Sequence, residues 1–163
     1  SAPGGQENAL YFAARNPQRA ANRSIVHVSE LIRAKGFDEA TLARIAPFVT
    51  ALPVRSKINV NTAPVEVLAA LLPEVPAEAL GRVVRQREAA PFTAVGGQGG
   101  FTDSFEAVPP TVAERLDVTS DFFQAQIGLE IGTTRLVRTV LLKRNANGAA
   151  EGWPTIIWAQ NSF

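Results

Sequence analysis

The sequence has 163 residues, 46% of them hydrophobic and 19% charged, with a formal net charge of +1. That balance supports a packed core, excludes a wholly disordered chain, and gives the molecule as a whole no electrostatic case for nucleic acid or an anionic membrane. There are no cysteines and one histidine, which excludes disulfides, thiol nucleophiles and any metal site built on several His or Cys ligands.

The chain begins at Ser1 and contains no methionine, so it reads as a fragment or a processed product. No apolar run is long enough to span a bilayer and no signal peptide is visible. A membrane anchor would therefore have been removed from it. Residues 1–24 read as an N-terminal extended segment. Pro3, Gly4 and Gly5 mark a frayed end, Leu10, Tyr11 and Phe12 can pack onto the rest, and Asn16-Pro17 marks a turn.

Residues 25–95 read as a helical lobe. Ser29 is placed to cap a helix over residues 29–35, with Gly36 ending it. Asp38 is placed to cap a second, over residues 39–46, before Pro47. Leu42 and Ile45 lie one turn apart on its buried face. Ile58-Asn59-Val60-Asn61 is extended. Thr62 is placed to cap the next helix, with Pro64 in its first turn and Val65, Leu68 and Leu72 at helical spacing. A last helix runs from near Pro76 through Leu80, Val83 and Val84 to about Glu88. Residues 36–45 resemble residues 74–83, so the lobe is two units of helix, tight turn, helix. Neither could bury its apolar face alone, and the two are expected to pack together.

Residues 96–119 form a Gly- and Pro-containing connection. Gly96-Gly97-Gln98-Gly99-Gly100 reads as a flexible loop. It is no phosphate loop, because it lacks the Gly-Lys-Ser/Thr ending and does not join a strand to a helix. Pro109-Pro110 stops any helix, and Thr111 is placed to cap a short one that includes Val112 and Leu116. Over residues 120–163 the period changes to two. Phe123, Ala125, Ile127, Leu129 and Ile131 fall on one side, and Gln124, Gln126, Gly128 and Glu130 on the other, the pattern of a half-buried strand. Gly132-Thr133-Thr134 turns the chain into a second strand, over residues 135–144. Asn147-Gly148 offers another turn, and a third strand covers residues 153–159. The fold class is α+β: a helical lobe of two hairpin-like units beside a small antiparallel meander with one covered face.

No catalytic constellation emerges. His27 is flanked by Ile25, Val26 and Val28 and reads as a structural or surface residue. There is no Gly-x-Ser-x-Gly elbow, and no carboxylate pair has a spacing that demands acid–base chemistry. The chain reads as a non-enzyme that requires no cofactor. Asp103, Glu106, Asp117 and Asp121 are the nearest cluster of hard-oxygen donors, but their spacing fits no EF-hand loop, and a solvated surface is the better reading. Arg82, Arg85 and Arg87 read as a solvated helix face, with Glu78 one turn before Arg82. Arg82 and Arg85 are candidates for partner binding. Trp153 and Trp158 read first as sheet core and second as anchors for another protein.

The segment Ile58-Asn59-Val60-Asn61-Thr62-Ala63-Pro64-Val65-Glu66-Val67-Leu68-Ala69-Ala70-Leu71 resembles the signature of the general secretion pathway protein K family of type II secretion minor pseudopilins. Ala21-Asn22-Arg23, Val28-Ser29-Glu30-Leu31, Lys35-Gly36-Phe37-Asp38 and residues 47–53 resemble the run into it. Ser120-Asp121-Phe122-Phe123 and Leu141-Leu142-Lys143-Arg144 resemble the opening and closing of that family's paired strands. The resemblance covers nearly the whole chain after Leu10. It implies a pilin-like domain with a helical insert, and a long N-terminal membrane helix processed by prepilin peptidase and missing here. It also implies a periplasmic place at the pseudopilus tip, anchored in or extracted from the inner membrane. The implied partners are the I- and J-type minor pseudopilins, the secretion machinery and secreted exoproteins, in protein export across the outer membrane. Some members bind calcium, so calcium is admitted as a ligand, with the four carboxylates above as its only candidates.

The same segment also resembles helix-hairpin-helix DNA-binding proteins of the competence type. They share the Asn-x-Asn-Thr-Ala start, the Leu-rich helix, the hairpin, and an Arg-containing helix before Pro91-Phe92. Such a hairpin needs Gly-hydrophobic-Gly, so that backbone N–H groups can approach a phosphate. Here it reads Glu74-Val75-Pro76. Glu74 puts negative charge at that place and Pro76 has no N–H to donate. The resemblance to a DNA binder therefore implies the scaffold without the phosphate site, and no nucleic-acid partner is expected.

Overall fold

The computed structural model of the chain describes residues 23–34, 36–145 and 152–162. The features expected over residues 1–22, at Lys35 and at Asn147-Gly148 lie outside the described residues. Two compact units divide the chain after Pro53.

In the first unit a 3-10 helix spans Val28–Arg33, and its cap is His27 rather than the expected Ser29. The His27 ring accepts the Ser29 N–H at 3.2 Å, while the Glu30 carboxylate accepts the Val26 and His27 amides at 2.9 and 3.2 Å. Glu30 reaching back in this way closes a capping box, which requires the helix to begin at Val28 and leaves Ser29 inside the first turn. The lone histidine is thus a helix cap. Gly36, at φ +92°, takes the left-handed conformation that ends the turn. Asp38 caps helix α1 (Glu39–Ile45), accepting the Thr41 amide at 2.7 Å. Leu42 and Ile45 are half-buried on it. Pro47 does not stop the chain's coiling but sits in the first turn of a 3-10 helix, Ala46–Phe48, where its missing N–H costs nothing.

The second unit opens with strand β1 (Ile58–Asn59). Helix α2 (Val65–Leu71) follows, with Pro64 itself in the cap position at ψ 152°. Thr62 is exposed and makes no cap. The proline ring pushes the residue before it away from helical angles, so the helix cannot start upstream as Thr62 suggested. Helix α3 (Ala77–Ala89) follows after a short turn, again with a proline, Pro76, at its cap. The core is Val60, Leu68, Leu72, Leu80, Val83, Phe92, Phe101 and Leu116, all 5% exposed or less. Phe101 stands edge-on to Phe92 at 5.5 Å and to Phe105 at 5.2 Å. Each fully buried aliphatic or aromatic side chain here contributes about 1.5–3 kcal/mol. The second hairpin closes its core with Phe92, Phe101 and Leu116, which follow it in the chain.

The glycine-rich run is a hydrogen-bonded turn, contrary to the flexible loop expected. Gly100 N–H donates to Gly97 O at 2.9 Å, Phe101 N–H to Ala94 O at 3.1 Å and Thr102 N–H to Val95 O at 2.8 Å. Gly100 and Phe101 are buried. Burial of Phe101 gives the turn its reason: the glycines let the backbone fold tightly enough to deliver that ring to the core. Helix α4 (Pro110–Ala113) has Pro109 at its cap, not Thr111. Leu116 is not helical. It begins strand β2 (Leu116–Asp117), which pairs in parallel with β1.

Strands β3 (Phe122–Ile131), β4 (Thr134–Lys143) and β5 (Thr155–Ser162) form the expected antiparallel meander, in the order β3-β4-β5. Gly132, at φ +59°, makes the first turn possible. The alternation was read as half-buried, yet the apolar side is open. Phe123, Ile127, Leu129 and Ile131 are 42, 57, 51 and 69% exposed. A period of two shows which side is apolar and is silent on whether anything covers it.

Candidate functional site

The signature segment is a clasp. Asn59 folds back to accept the Asn61 amide at 2.9 Å, and its Nδ2 donates to the Ser120 hydroxyl at 3.0 Å. Asn61 accepts the Phe92 N–H at 2.8 Å and donates to Phe92 O at 2.9 Å and Val118 O at 3.2 Å. Arg87 donates to Val60 O at 2.6 Å. Two carboxamides and a guanidinium thus tie together the start of α2, the end of α3 and the lead into the sheet. Each is at least half-buried, which makes these bonds worth more than surface ones. Arg87 therefore leaves the solvated face it was expected to share with Arg82 and Arg85. Partial burial lowers its pKa, offset in part by the nearby charge of Glu88.

At the hairpin, Val75 N–H donates to Leu72 O at 3.0 Å. The amide that a phosphate would need is used inside the turn, and Pro76 offers none. Glu74, Arg82 and Glu106 border one shallow hollow there with Val75, Pro76 and Phe105. Arg82 and Arg85 are exposed.

The four carboxylates do not converge. Asp103 and Glu106 edge a common hollow, and the Asp103 carboxylate accepts the Gly99 amide at 3.1 Å. Asp117 accepts the amide of its neighbour Val118 at 2.7 Å. Asp121 is exposed and contributes its backbone carbonyl to Arg144 N–H at 2.7 Å. Among the described residues no three His, Cys, Asp or Glu side chains gather into a set that could hold a metal. A calcium ion takes six to eight oxygen ligands, so these residues do not fit one.

Trp153 is 86% exposed, so it is not the sheet core first read for it. Its carbonyl is held by the Asn145 carboxamide at 2.6 Å. Trp158 is half-buried and lies opposite the buried Leu141. The apolar side of the sheet is largely exposed. There Phe123 pairs with Leu142, Ala125 with the buried Val140, Ile127 with Arg138, and Leu129 with Leu136, while Ile156 continues the Phe123–Leu142 row onto β5. At its edge the Arg144 guanidinium lies 5.1 Å from the centre of the Phe123 ring. Among the described residues no helix is long and apolar enough to cross a membrane.

Comparison with known proteins agrees with this architecture. Two family models, both described as Type II secretion system (T2SS), protein K, match residues 1–54 and 58–109. The type II secretion system protein K of Aeromonas hydrophila is 31% identical over 165 residues, covering 90% of this chain and 49% of that protein. Its counterpart in Pseudomonas aeruginosa is 47% identical over 75 residues, 46% of this chain and 22% of that protein. A chain in the crystal structure of the GspK–GspI–GspJ complex from enterotoxigenic Escherichia coli matches with a TM-score of 0.73 and 25% identity, over 98% of this chain and 56% of that one. The chain spans about half of the length of the Aeromonas relative.

Proposed function

The chain belongs to the type II secretion system protein K family, and from that premise we propose that it serves as a minor pseudopilin: a structural subunit at the tip of the periplasmic pseudopilus, working in protein export. The observation that carries the reading is the structural match to a chain of the GspK–GspI–GspJ complex, which takes in 98% of this chain and so includes both the hairpins and the sheet. On this reading the I- and J-type minor pseudopilins are its partners, and its work is burial and surface complementarity. The clasp around Asn59 and Asn61 supports this, because it uses the two asparagines of the signature to lock the scaffold.

The open apolar side of the sheet supports it as well. An exposed contiguous apolar surface marks a place built to be covered. The proposal assigns that cover to the long N-terminal helix implied by the resemblance, which would also join the subunit to its neighbours. DNA binding is not favoured by any feature of the hairpin: Glu74 is acidic, the Val75 amide is already bonded and Pro76 lacks one.

Co-expression of the longer protein with its cognate I- and J-type subunits, followed by size-exclusion chromatography, tests the reading. A co-eluting ternary complex is expected. Separate elution of the three at micromolar concentration would overturn it.

A further inference from the structure

A hollow of about 560 Å³ opens beside the start of β1, wholly within the second unit. Arg55, Lys57 and Arg115 bring three cationic side chains to its wall, Glu114 one carboxylate, and Ile58 and Leu71 an aliphatic lining. The backbone beneath is fixed by the parallel bridge: Ile58 N–H donates to Arg115 O at 2.8 Å, and Val60 N–H to Asp117 O at 2.9 Å. That bridge, between segments far apart in the chain, is what brings Lys57 and Arg115 to one place.

None of the three cations has a carboxylate at ion-pair distance among the described residues, where the ion pairs are Arg23–Glu30 and Arg135–Glu130. Converging like charges raise the local potential, and an incoming anion relieves it. We propose that this hollow binds an acidic peptide segment of a partner protein, with a carboxylate taken by Arg55 and Arg115 and an adjoining aliphatic side chain set against Ile58 and Leu71. Bidentate geometry suits guanidinium to carboxylate. The mixed wall favours a peptide over a phosphate or a lipid headgroup. Glu114 repels a second negative charge but can accept a peptide N–H, and the aliphatic lining offers nothing to an inorganic anion. The volume is in the range of sites that enclose a few side chains. The proposal rests on the assembly reading only in taking the partner to be a protein.

The test is titration of the isotopically labelled chain, followed by amide shifts, with the acetylated peptide amide Leu-Asp-Leu-Glu-Leu and its neutral twin Leu-Asn-Leu-Gln-Leu. The acidic peptide should give saturable shifts confined to residues 55–58, 71 and 114–115, and the twin none. Arg55 and Arg115 are exposed, so Arg55→Gln with Arg115→Gln should keep the spectrum of the folded chain while weakening binding about tenfold or more, the scale of a lost charge-assisted hydrogen bond. Glu114→Gln should tighten it about threefold by removing a repulsive charge, a gain that misfolding could not produce. Absence of saturable shifts, equal binding of the twin, or tighter binding of inorganic phosphate or phosphatidylglycerol vesicles at the same residues would overturn the proposal. The wild-type ternary complex is assayed separately. Failed peptide binding with intact assembly sinks the hollow alone, and failed assembly sinks the pseudopilin reading.

Discussion

Asn61 holds both backbone polar groups of Phe92: its Oδ1 accepts the Phe92 N–H at 2.8 Å and its Nδ2 donates to the Phe92 carbonyl at 2.9 Å. The side chain stands in for a strand neighbour, and its third bond, to Val118 O at 3.2 Å, carries the same clasp to the lead into the sheet. Asn61→Ala removes all three and leaves part-buried backbone groups unpaired, a loss of about 2–4 kcal/mol. Asn61→Asp keeps the acceptor but turns a carboxylate toward two carbonyl oxygens, so at neutral pH it should be at least as damaging. Urea unfolding midpoints of the two variants check both.

Arg87 and Arg85 share a helix but should separate cleanly in stability. Arg87 bonds Val60 O at 2.6 Å and is half-buried, whereas Arg85 is exposed. Arg87→Ala should cost about 1.5–3 kcal/mol, the range for a hydrogen bond to a charged group. Arg85→Ala and Arg82→Ala should stay within about 0.5 kcal/mol of the parent. Parallel denaturation curves decide it; equal losses at positions 85 and 87 would contradict the clasp.

Local periodicity made α1, α2, α3 and the meander legible, because the spacing of Val65, Leu68 and Leu72, or of Phe123 through Ile131, depends only on neighbours in the chain. What escaped was set by distant partners. Nothing near Asn61 announces Phe92 or Val118, and nothing near Leu116 announces that it will pair with Ile58. Arg55 and Lys57 are visible as a charged couple, but Arg115 joins them only through that pairing. The cap errors are of another kind. Thr62 is a good capping residue in isolation, and Pro64 overrules it because its ring dictates where helical angles can begin. Glycine run 96–100 looked like a tether because composition alone does not say that Phe101 must be delivered to a core.

That delivery leaves no room for a side chain at Gly100. A methyl group there would come within 2.6 Å of Gly96 O and 2.8 Å of its carbonyl carbon, a clash with backbone that cannot swing away. Gly100→Ala should cost about 1–3 kcal/mol, as overpacking of a tight interior does. Gly128→Ala, on β3 with nothing within 4 Å, should cost nothing measurable and can stabilise the strand. Thermal unfolding of the pair is the comparison. A harmless Gly100→Ala would mean the turn is loose after all.

Acid should loosen the first unit through its two caps. The Glu30 pKa is lowered by hydrogen bonds from the Val26 and then the His27 amide, and that of Asp38 by hydrogen bonds from the Thr41 side chain and amide. Both folded-state values lie below the unfolded ones, so the stabilisation is present above the ordinary carboxylate range of about 4 and is lost as pH falls through the lowered values. The amide shifts of Val26 and Thr41 should therefore titrate below that range. Asp38→Asn keeps an acceptor at the cap and should abolish the Thr41 titration while leaving α1 in place.

The exposed side of the sheet is where the proposed N-terminal helix of a longer protein would make a difference. Ile127 and Leu129 are 57 and 51% exposed, so replacing both with Lys removes little burial here and should leave stability within about 0.5 kcal/mol of the parent. The Arg138 guanidinium, directly opposite Ile127 across the β3–β4 ladder, adds only a screened repulsion to that change. Dye binding to exposed apolar surface should fall. In the longer protein the same pair should be costly, because covering each side chain with an apolar helix contributes about 1.5–3 kcal/mol. Matched unfolding curves of the short and long chains, with and without the substitutions, read out the difference directly. Equal, small effects in both would show that the helix does not lie on this face, and the assembly would then have to join through another surface.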